Sequence, residues 1–303
     1  MTTMQVTANM VPDILAAINQ SQQSLNTATE QLATGKSVSV PSDNPSASAD
    51  MVENTIETGD VDQYTQNVSS LLSTVQTASS ILSSVTTSLT QAVSLGTEGA
   101  NGTNNATNRQ ELASQIQGIL ATVVSQANTS VGGSYIFAGT ASTTAPYTAD
   151  ASSPTGYTYN GNDDVNSVEV GDHMSVQANV PGSQLFSNSS SSVLGALSSL
   201  VTALQSGSTS DISSATSAVS SAISLIGQQQ AVYSNSENQL NSQETVLQQD
   251  TVSLASQENS LIGIDTATAA TNLTQAETDN SAALAAAAKV LPNTLLSYLS
   301  NPS

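Results

Sequence analysis

Cysteine and tryptophan are absent from this chain of 303 residues, and lysine and arginine together number 3. Without cysteine there is no disulfide frame, no thiolate zinc site and no cysteine nucleophile. Lys36, Arg109 and Lys289 stand against 23 acidic residues, for a net charge of −20. Three cations cannot build a surface that neutralises a phosphate backbone, so nucleic acid is excluded as a partner. Anionic membrane surfaces fall to the same argument. No stretch approaches ~18 consecutive apolar residues, so no membrane span is expected. The N-terminus has neither a basic n-region nor an apolar h-region, so no cleaved secretory signal is expected. Aromatic residues make up 3% of the chain, with two Phe. A globular core is hard to fill on that supply, but a helical bundle needs only Leu, Ile, Val and Ala. Charged residues are 9% of the chain, against a usual ~25%, and Ser, Thr, Asn and Gln supply solubility in their place.

What the chain does have is period. Every seventh residue from Ile212 is apolar: Ile212, Val219, Ile226, Tyr233, Leu240, Leu247, Leu254 and Leu261. A sustained heptad predicts a long helix lying along partners. At ~1.5 Å per residue it is on the order of 75 Å long, too long for the core of one compact domain. The half-step positions are small or polar: Ala215, Ala222, Gln229, Ser236, Gln243, Asp250 and Gln257. The stripe is therefore narrow and one-sided. A second seam, spaced alternately 3 and 4, runs through Val61, Tyr64, Val68, Leu71, Val75, Ala78, Leu82, Val85, Leu89 and Ala92. The two seams predict antiparallel packing within one subunit.

Around these seams the chain punctuates itself. A helix is expected from Pro12 through Ile14, Ile18, Leu25 and Leu32, stopping at Gly35. Ser37–Pro45 is a loop, and Asn44-Pro45 caps the next helix, expected to reach about Leu95. Gly96–Thr107 reads as a loop, and Asn108 with Glu111 as a capping box. From Val131 short β-like runs appear: Ser134–Phe137, Tyr157–Tyr159, Ser167–Val170 and Met174–Val180. A short helix begins near Ser192 and ends before Gly207, and Asp211 is expected to cap the long one. Gly263 interrupts that helix. Ala267–Val290 is strongly helix-forming, Pro292 is expected to break it, and Leu295, Leu296 and Leu299 form an apolar tail.

The expected fold is mainly α. Long coiled-coil-like helices from the N- and C-terminal halves pack as a rod, with a small β-rich domain inserted in the middle. The expected divisions are residues 1–44 and 263–303 as terminal helices, 45–130 and 188–262 as two halves of a helical rod domain, and 131–187 as a β-rich insert.

Chemistry is hard to find. The single His173 sits beside Asp172 in a turn and lacks partners for metal or base work. Asp163, Asp164, Glu169 and Asp172 lack EF-hand spacing and read as a solvated acidic loop. Gly132-Gly133 and Gly96–Gly102 have no following Lys and are not phosphate cradles. No catalytic constellation, metal site or cofactor is expected, and the chain is not read as an enzyme.

Three stretches carry a resemblance. Gln31–Pro45, QLATGKSVSVPSDNP, resembles the N-terminal signature of the bacterial flagellin superfamily. Gly133–Thr140, GSYIFAGT, and Tyr159–Phe186, with YNGNDD and ANVPGSQLF, resemble the central region of its hook–filament junction branch. Ile264-Asp265, AATNL, AALAAAAKV and LLSYL resemble its C-terminal helix. The order is preserved along nearly the whole chain. Two departures stand out: Ser37 replaces the usual basic residue after Gly-Lys, and charge is unusually sparse.

The resemblance implies an extracellular structural subunit of the bacterial flagellum, exported unfolded through the type III apparatus. It would form the junction between hook and filament, be required for motility and assemble through its terminal helices, with residues 1–44 and 263–303 as inner-tube helices and the β-rich insert of residues 131–187 facing outward. Ile14, Ile18, Leu25, Leu32, Leu273, Leu284, Leu291, Leu295, Leu296 and Leu299 are the expected subunit-packing residues. The implied partners are copies of itself in a ring, an adjoining hook-associated junction protein, filament flagellin, and an export chaperone on the C-terminal segment. A short filament flagellin is the alternative. A secreted Ser/Thr-rich adhesin or fibre protein would share the low charge and the coils but not the terminal signatures.

Overall fold

The computed structural model describes residues 10–186 and 192–299; the side chains of residues 10, 11 and 290–299, and with them those of Leu291, Leu295, Leu296 and Leu299, lie outside the described set. The described elements are, in order, α1 (Met10–Thr34), α2 (Pro45–Gly99), α3 (Ala106–Ala127), β1 (Ser130–Val131), β2 (Ser134–Tyr135), β3 (Tyr147–Ala149), β4 (Tyr157–Tyr159), β5 (Ser167–Gly171), β6 (Met174–Gln177), α4 (Gly182–Phe186), α5 (Val193–Ser206), α6 (Thr209–Ile262) and α7 (Thr266–Leu299). The fold is mainly α, with long helices and a small strand-containing insert in the middle. The chain divides into two compact units: residues 60–249, and residues 1–59 with 250–303.

The unit of residues 60–249 holds the large core. Along α2 the alternating spacing puts Val68, Leu71, Val75, Ala78, Leu82, Val85, Leu89 and Ala92 on one buried side, with Val61 and Tyr64 half-buried at its end. They face Ile212, Val219, Ile226, Tyr233, Leu240 and Leu247 of α6, all buried. The two helices run antiparallel. Gln76 donates to Glu237 at 3.3 Å, while Gly96, further along α2, lies against Thr216, further back on α6. Helix α3 brings Leu112, Ile116 and Val123 to the same core, and α5 brings Leu194, Leu197, Leu200 and Leu204.

Three boundaries differ from expectation. Helix α2 continues through Gly96 to Gly99, because these glycines are contact points rather than breakers. A Cβ at Gly96 would strike Thr216, and one at Gly99 would strike Leu204. Asn105, not Asn108, caps α3: its side chain accepts from the Asn108 N–H at 2.8 Å, and Glu111 takes no part in a capping box. Ser208, not Asp211, caps α6, its Oγ accepting from the Asp211 N–H at 3.3 Å. At both N-termini a short polar side chain one turn earlier reaches the orphan N–H groups first.

The insert forms three antiparallel two-stranded ribbons: β1 with β2, β3 with β4, and β5 with β6. Strands β1 and β3 were not anticipated, and the runs at Ser134 and Met174 end early, at Tyr135 and Gln177. Isolated ribbons are marginal in water. These lean on the helices: Ile136, Phe137, Tyr147, Val170, Val176, Val180, Leu185 and Phe186 are buried in the same continuous core as α2, α3, α5 and α6. The insert therefore does not close a core of its own. Phe137 and Phe186 meet edge-on at 5.5 Å, and Tyr147 meets Phe186 at 6.1 Å. The Tyr147 hydroxyl donates to the Gly182 carbonyl at 2.9 Å, and the Tyr233 hydroxyl of α6 accepts from the Val180 N–H at 3.0 Å. Burial pushes both phenols above their ordinary range, so they serve as neutral hydrogen-bonding ends.

In the second unit α1 ends at Thr34, and Gly35 takes the left-handed conformation (φ 70°) that closes a helix without a Cβ penalty. A short antiparallel bridge then joins Lys36 to Gly263. The Ser37 N–H donates to the Ile262 carbonyl at 2.6 Å and the Ile264 N–H to the Gly35 carbonyl at 3.1 Å. Asn44 caps α2, accepting from the Ala47 N–H at 3.1 Å, with Pro45 at the first helical position. Asp265 caps α7. Pro292 does not end α7, which runs on to Leu299; the cost is one missing backbone donor inside the helix.

Exposed threonines and serines behave alike along the long helices. Thr55, Thr65, Thr74, Thr87 and Ser217 each donate to the carbonyl four residues back, at 2.7–3.1 Å.

Candidate assembly surface

Helices α1 and α7 lie side by side, antiparallel, joined at one end by the Lys36–Gly263 bridge. The buried residues between them are small: Ala28 on α1, and Ala269, Ala276 and Ala287 on α7. Ile14, Ile18 and Leu25 are half-buried, as is Leu273. Leu32 and Leu284 are exposed, at 37% and 48%, and so is Leu15 at 59%. The α1 stripe runs 14, 18, 21, 25 and 28, and Gln31 rather than Leu32 continues it.

Polar groups fill the remaining contact. A groove of about 560 Å³ runs between the helices, lined by Gln20, Gln23, Ser24 and Thr27 of α1 and by Asn272 and Gln275 of α7 among others. Ser21 Oγ and Asn280 Oδ1 are buried without a hydrogen-bond partner. Alanine methyls release little apolar area, at about 25 cal/mol per Å², so this pair is held far less firmly than a leucine seam.

The start of α7 is built by Asp265. Its carboxylate accepts from the Ala267 N–H at 3.0 Å and the Thr268 hydroxyl at 2.9 Å. The Thr268 hydroxyl and then the Ala267 N–H hold the Asp265 carboxyl below its ordinary range. Nearby, Asp43 accepts from the Ser39 and Val40 N–H groups at 3.3 and 3.2 Å and sets the loop before α2. This loop leaves Val40 49% exposed, and the first turns of α2 leave Val52 and Ile56 61% exposed, one helical turn apart. A cleft of about 410 Å³ beside them is lined by Val38, Val40, Pro41, Met51, Val52 and Ile262. Lys36 lies beside Glu258 at 3.2 Å in an exposed pair.

On α6, Leu254 is buried, its carbonyl accepting from buried Asn54 at 3.1 Å. Leu261 is only half-buried, and Ile262, one position on, is buried instead. The heptad phase slips there, at the residue whose carbonyl takes the Ser37 N–H.

Sequence reasoning missed the alanine stripe, although Ala269 and Ala276 stand at heptad spacing; a search for large apolar residues passes over them. It also missed the Asp265 cap, which the run Asp265–Thr268 before a helix-forming segment could have shown. His173 is the one described non-glycine residue with positive φ (56°), and its side chain is 93% exposed beside Asp172. No cluster of metal-ligating side chains occurs among the described residues, and no described helix is long and apolar enough to cross a membrane.

Residues 6–142 match the bacterial flagellin N-terminal helical region. The fold is also seen in solved structures of flagellar hook-associated proteins. A structure from Vibrio parahaemolyticus assigned to that group superposes with a TM-score of 0.66 at 19% identity, covering 73% of this chain and 100% of the other. Hook-associated protein 3 of Legionella pneumophila gives a TM-score of 0.62 at 15% identity, covering 70% and 98%. FlgL of Bacillus cereus gives 0.58 at 22%, covering 68% and 99%. None of the curated proteins matches the sequence.

Proposed function

We propose that this chain is a structural subunit of the bacterial flagellum that forms the junction between hook and filament, and that it acts through contacts rather than chemistry. The observation that carries the reading is the match of residues 6–142 to the flagellin N-terminal helical region, in a chain whose remote ends pair as α1 and α7. The pair exposes Leu15, Leu32 and Leu284, and the loop and first turns of α2 expose Val40, Val52 and Ile56. These apolar residues, with the inward-facing alanines, suit helices that complete their packing against neighbouring subunits. Copies of the same chain in a ring are the first partners; an adjoining hook-associated protein and filament flagellin are the next, and an export chaperone would take the α7 segment before assembly. Residues 1–44 and 263–303 would form the inner tube, and the remainder the surrounding shell.

Immunogold labelling of intact flagella tests the proposal. Label confined to the hook end, with loss of motility when the gene is deleted, is the expected result. Label along the filament would make the chain a short flagellin, the second reading that the match of residues 6–142 supports.

A further inference from the structure

Two Asn-Gly pairs occur in the sequence, Asn101-Gly102 and Asn160-Gly161, and the fold treats them oppositely. The first lies in the turn between α2 and α3, where Asn101, Gly102 and Thr103 are all exposed. Asn101 Oδ1 accepts from both the Thr103 N–H, at 3.2 Å, and the Thr103 hydroxyl, at 3.0 Å. A backbone N–H needs an acceptor, so the oxygen of the side-chain amide is the atom turned toward Thr103. The bond to the Thr103 N–H closes a ring that contains both Asn101 Cγ and the Gly102 nitrogen, which holds the two close. Gly102 has no Cβ to obstruct their approach, and nothing packs where one would stand. The turn itself is anchored. The Asn101 N–H donates to the Glu98 carbonyl at 3.1 Å, and the Asn104 N–H to the Asn101 carbonyl at 3.0 Å. Asn160 is restrained instead. Its N–H donates to the Pro146 carbonyl at 2.8 Å, and its Nδ2 donates to the Thr148 hydroxyl at 2.8 Å. Gly161 is half-buried, and a Cβ there would strike Tyr159 and the Ala138 carbonyl, so this peptide has no room to turn.

We propose that Asn101-Gly102 is a site of spontaneous covalent modification, at which the Gly102 nitrogen displaces ammonia from the Asn101 side chain with Thr103 assisting. The step is an acyl transfer within the chain. A bond forms between the Gly102 nitrogen and Asn101 Cγ, and the Cγ–Nδ2 bond breaks. Nδ2 leaves as ammonia, carrying the proton that the Gly102 amide gives up through water. Negative charge develops on Oδ1 as the nitrogen adds, and both Thr103 donors are already placed on that atom. The product is a cyclic imide. Water then opens it at one carbonyl or the other, leaving aspartate or isoaspartate. The sum is amide plus water to acid plus ammonia, with no change of oxidation state. Exposure of the turn admits the water and releases the ammonia. Either product adds a carboxylate to a chain that has 23 acidic residues, and isoaspartate also lengthens the backbone of the turn by a methylene. The reaction needs no partner and is independent of the hook–filament reading.

The experiment is ageing of the folded full chain in warm, mildly alkaline buffer, followed by peptide mapping with mass spectrometry and an isoaspartate-specific methyltransferase assay. Conversion at Asn101, mainly to isoaspartate, should outpace conversion at Asn160 by about tenfold or more. In concentrated urea the two pairs should convert at similar rates, because the difference comes from the fold. Gly102→Val should slow conversion at Asn101 by about tenfold or more through the bulk and stiffness of its side chain. Its melting curve should match the parent's, since the site is open and the backbone there is not left-handed. Thr103→Val keeps the backbone donor, loses the hydroxyl and should slow the reaction as well. Conversion at Asn101 no faster than at Asn160 in the folded chain overturns the proposal. So does a difference that survives urea, or a rate untouched by Thr103→Val.

Discussion

The core of residues 60–249 and the α1–α7 pair are both built from heptad stripes, yet they are different materials. In the first, Leu82, Leu89, Ile116, Leu200, Ile226 and Leu240 are fully buried against one another. In the second the buried residues are alanines, the groove is lined largely by amides and hydroxyls, and the large apolar side chains are half-buried or exposed. The same period therefore yields a finished interior in one place and an unfinished surface in the other. Residue size at the stripe positions, not periodicity, makes the difference.

The comparison breaks first at Leu240. Leu240→Asp places a carboxylate among fully buried neighbours and should cost more than ~4 kcal/mol in urea unfolding. An unchanged midpoint would mean that α6 does not pack as described. Phe137→Ala should cost about 3–5 kcal/mol, because the ring belongs to the shared core. By the same logic, replacing Ser142–Phe186 with a Gly-Ser linker should lower the stability of the adjoining helices. A deletion that melts like the parent would show the insert to be self-contained after all.

In the α1–α7 pair the effects should be smaller and should appear elsewhere. Ala276→Gly should cost about 1 kcal/mol of helix stability, with the main unfolding transition unmoved. Differential scanning calorimetry distinguishes the two transitions, and loss of the main one would contradict the contrast.

The smallest effect is expected from acid. The Ser152 and Thr158 hydroxyls and the Ser152 N–H hold the Asp150 carboxyl at about 2, below the ordinary 3.8. Its folded pKa lies below its unfolded one, so its contribution is complete above about pH 4 and disappears as pH falls toward about 2. Asp150→Asn should flatten that part of the stability–pH curve, and a side-chain NMR titration midpoint near the ordinary value would refute the assignment.

The helices were legible because their apolar positions recur at 3 and 4 and their ends carry Gly35, Asn44 and Gly207. The errors came where local chemistry had competitors. Asn105 and Ser208 captured caps that Asn108 and Asp211 also offered. Gly96 and Gly99 looked like breakers because their role is set by Thr216 and Leu204, more than a hundred residues away. Strand β3 hides in Tyr147–Ala149, three residues with no visible alternation, and exists through its pairing with Tyr157–Tyr159. The candidate surface was the least legible part. Its inward-facing residues are Ala28, Ala269 and Ala276, which a search for large apolar residues passes over.

The threonine and serine hydroxyls turned back onto their helices have a consequence for ionic strength. Such bonds join neutral groups and are indifferent to dissolved ions. With 23 acids and three bases, the long-range electrostatics of the chain are dominated by repulsion. Salt screens repulsion. The exposed Lys36–Glu258 pair is a surface contact of a kind worth little. Moving this protein from fresh water to brine should therefore tighten it, where a chain held by ion pairs would loosen.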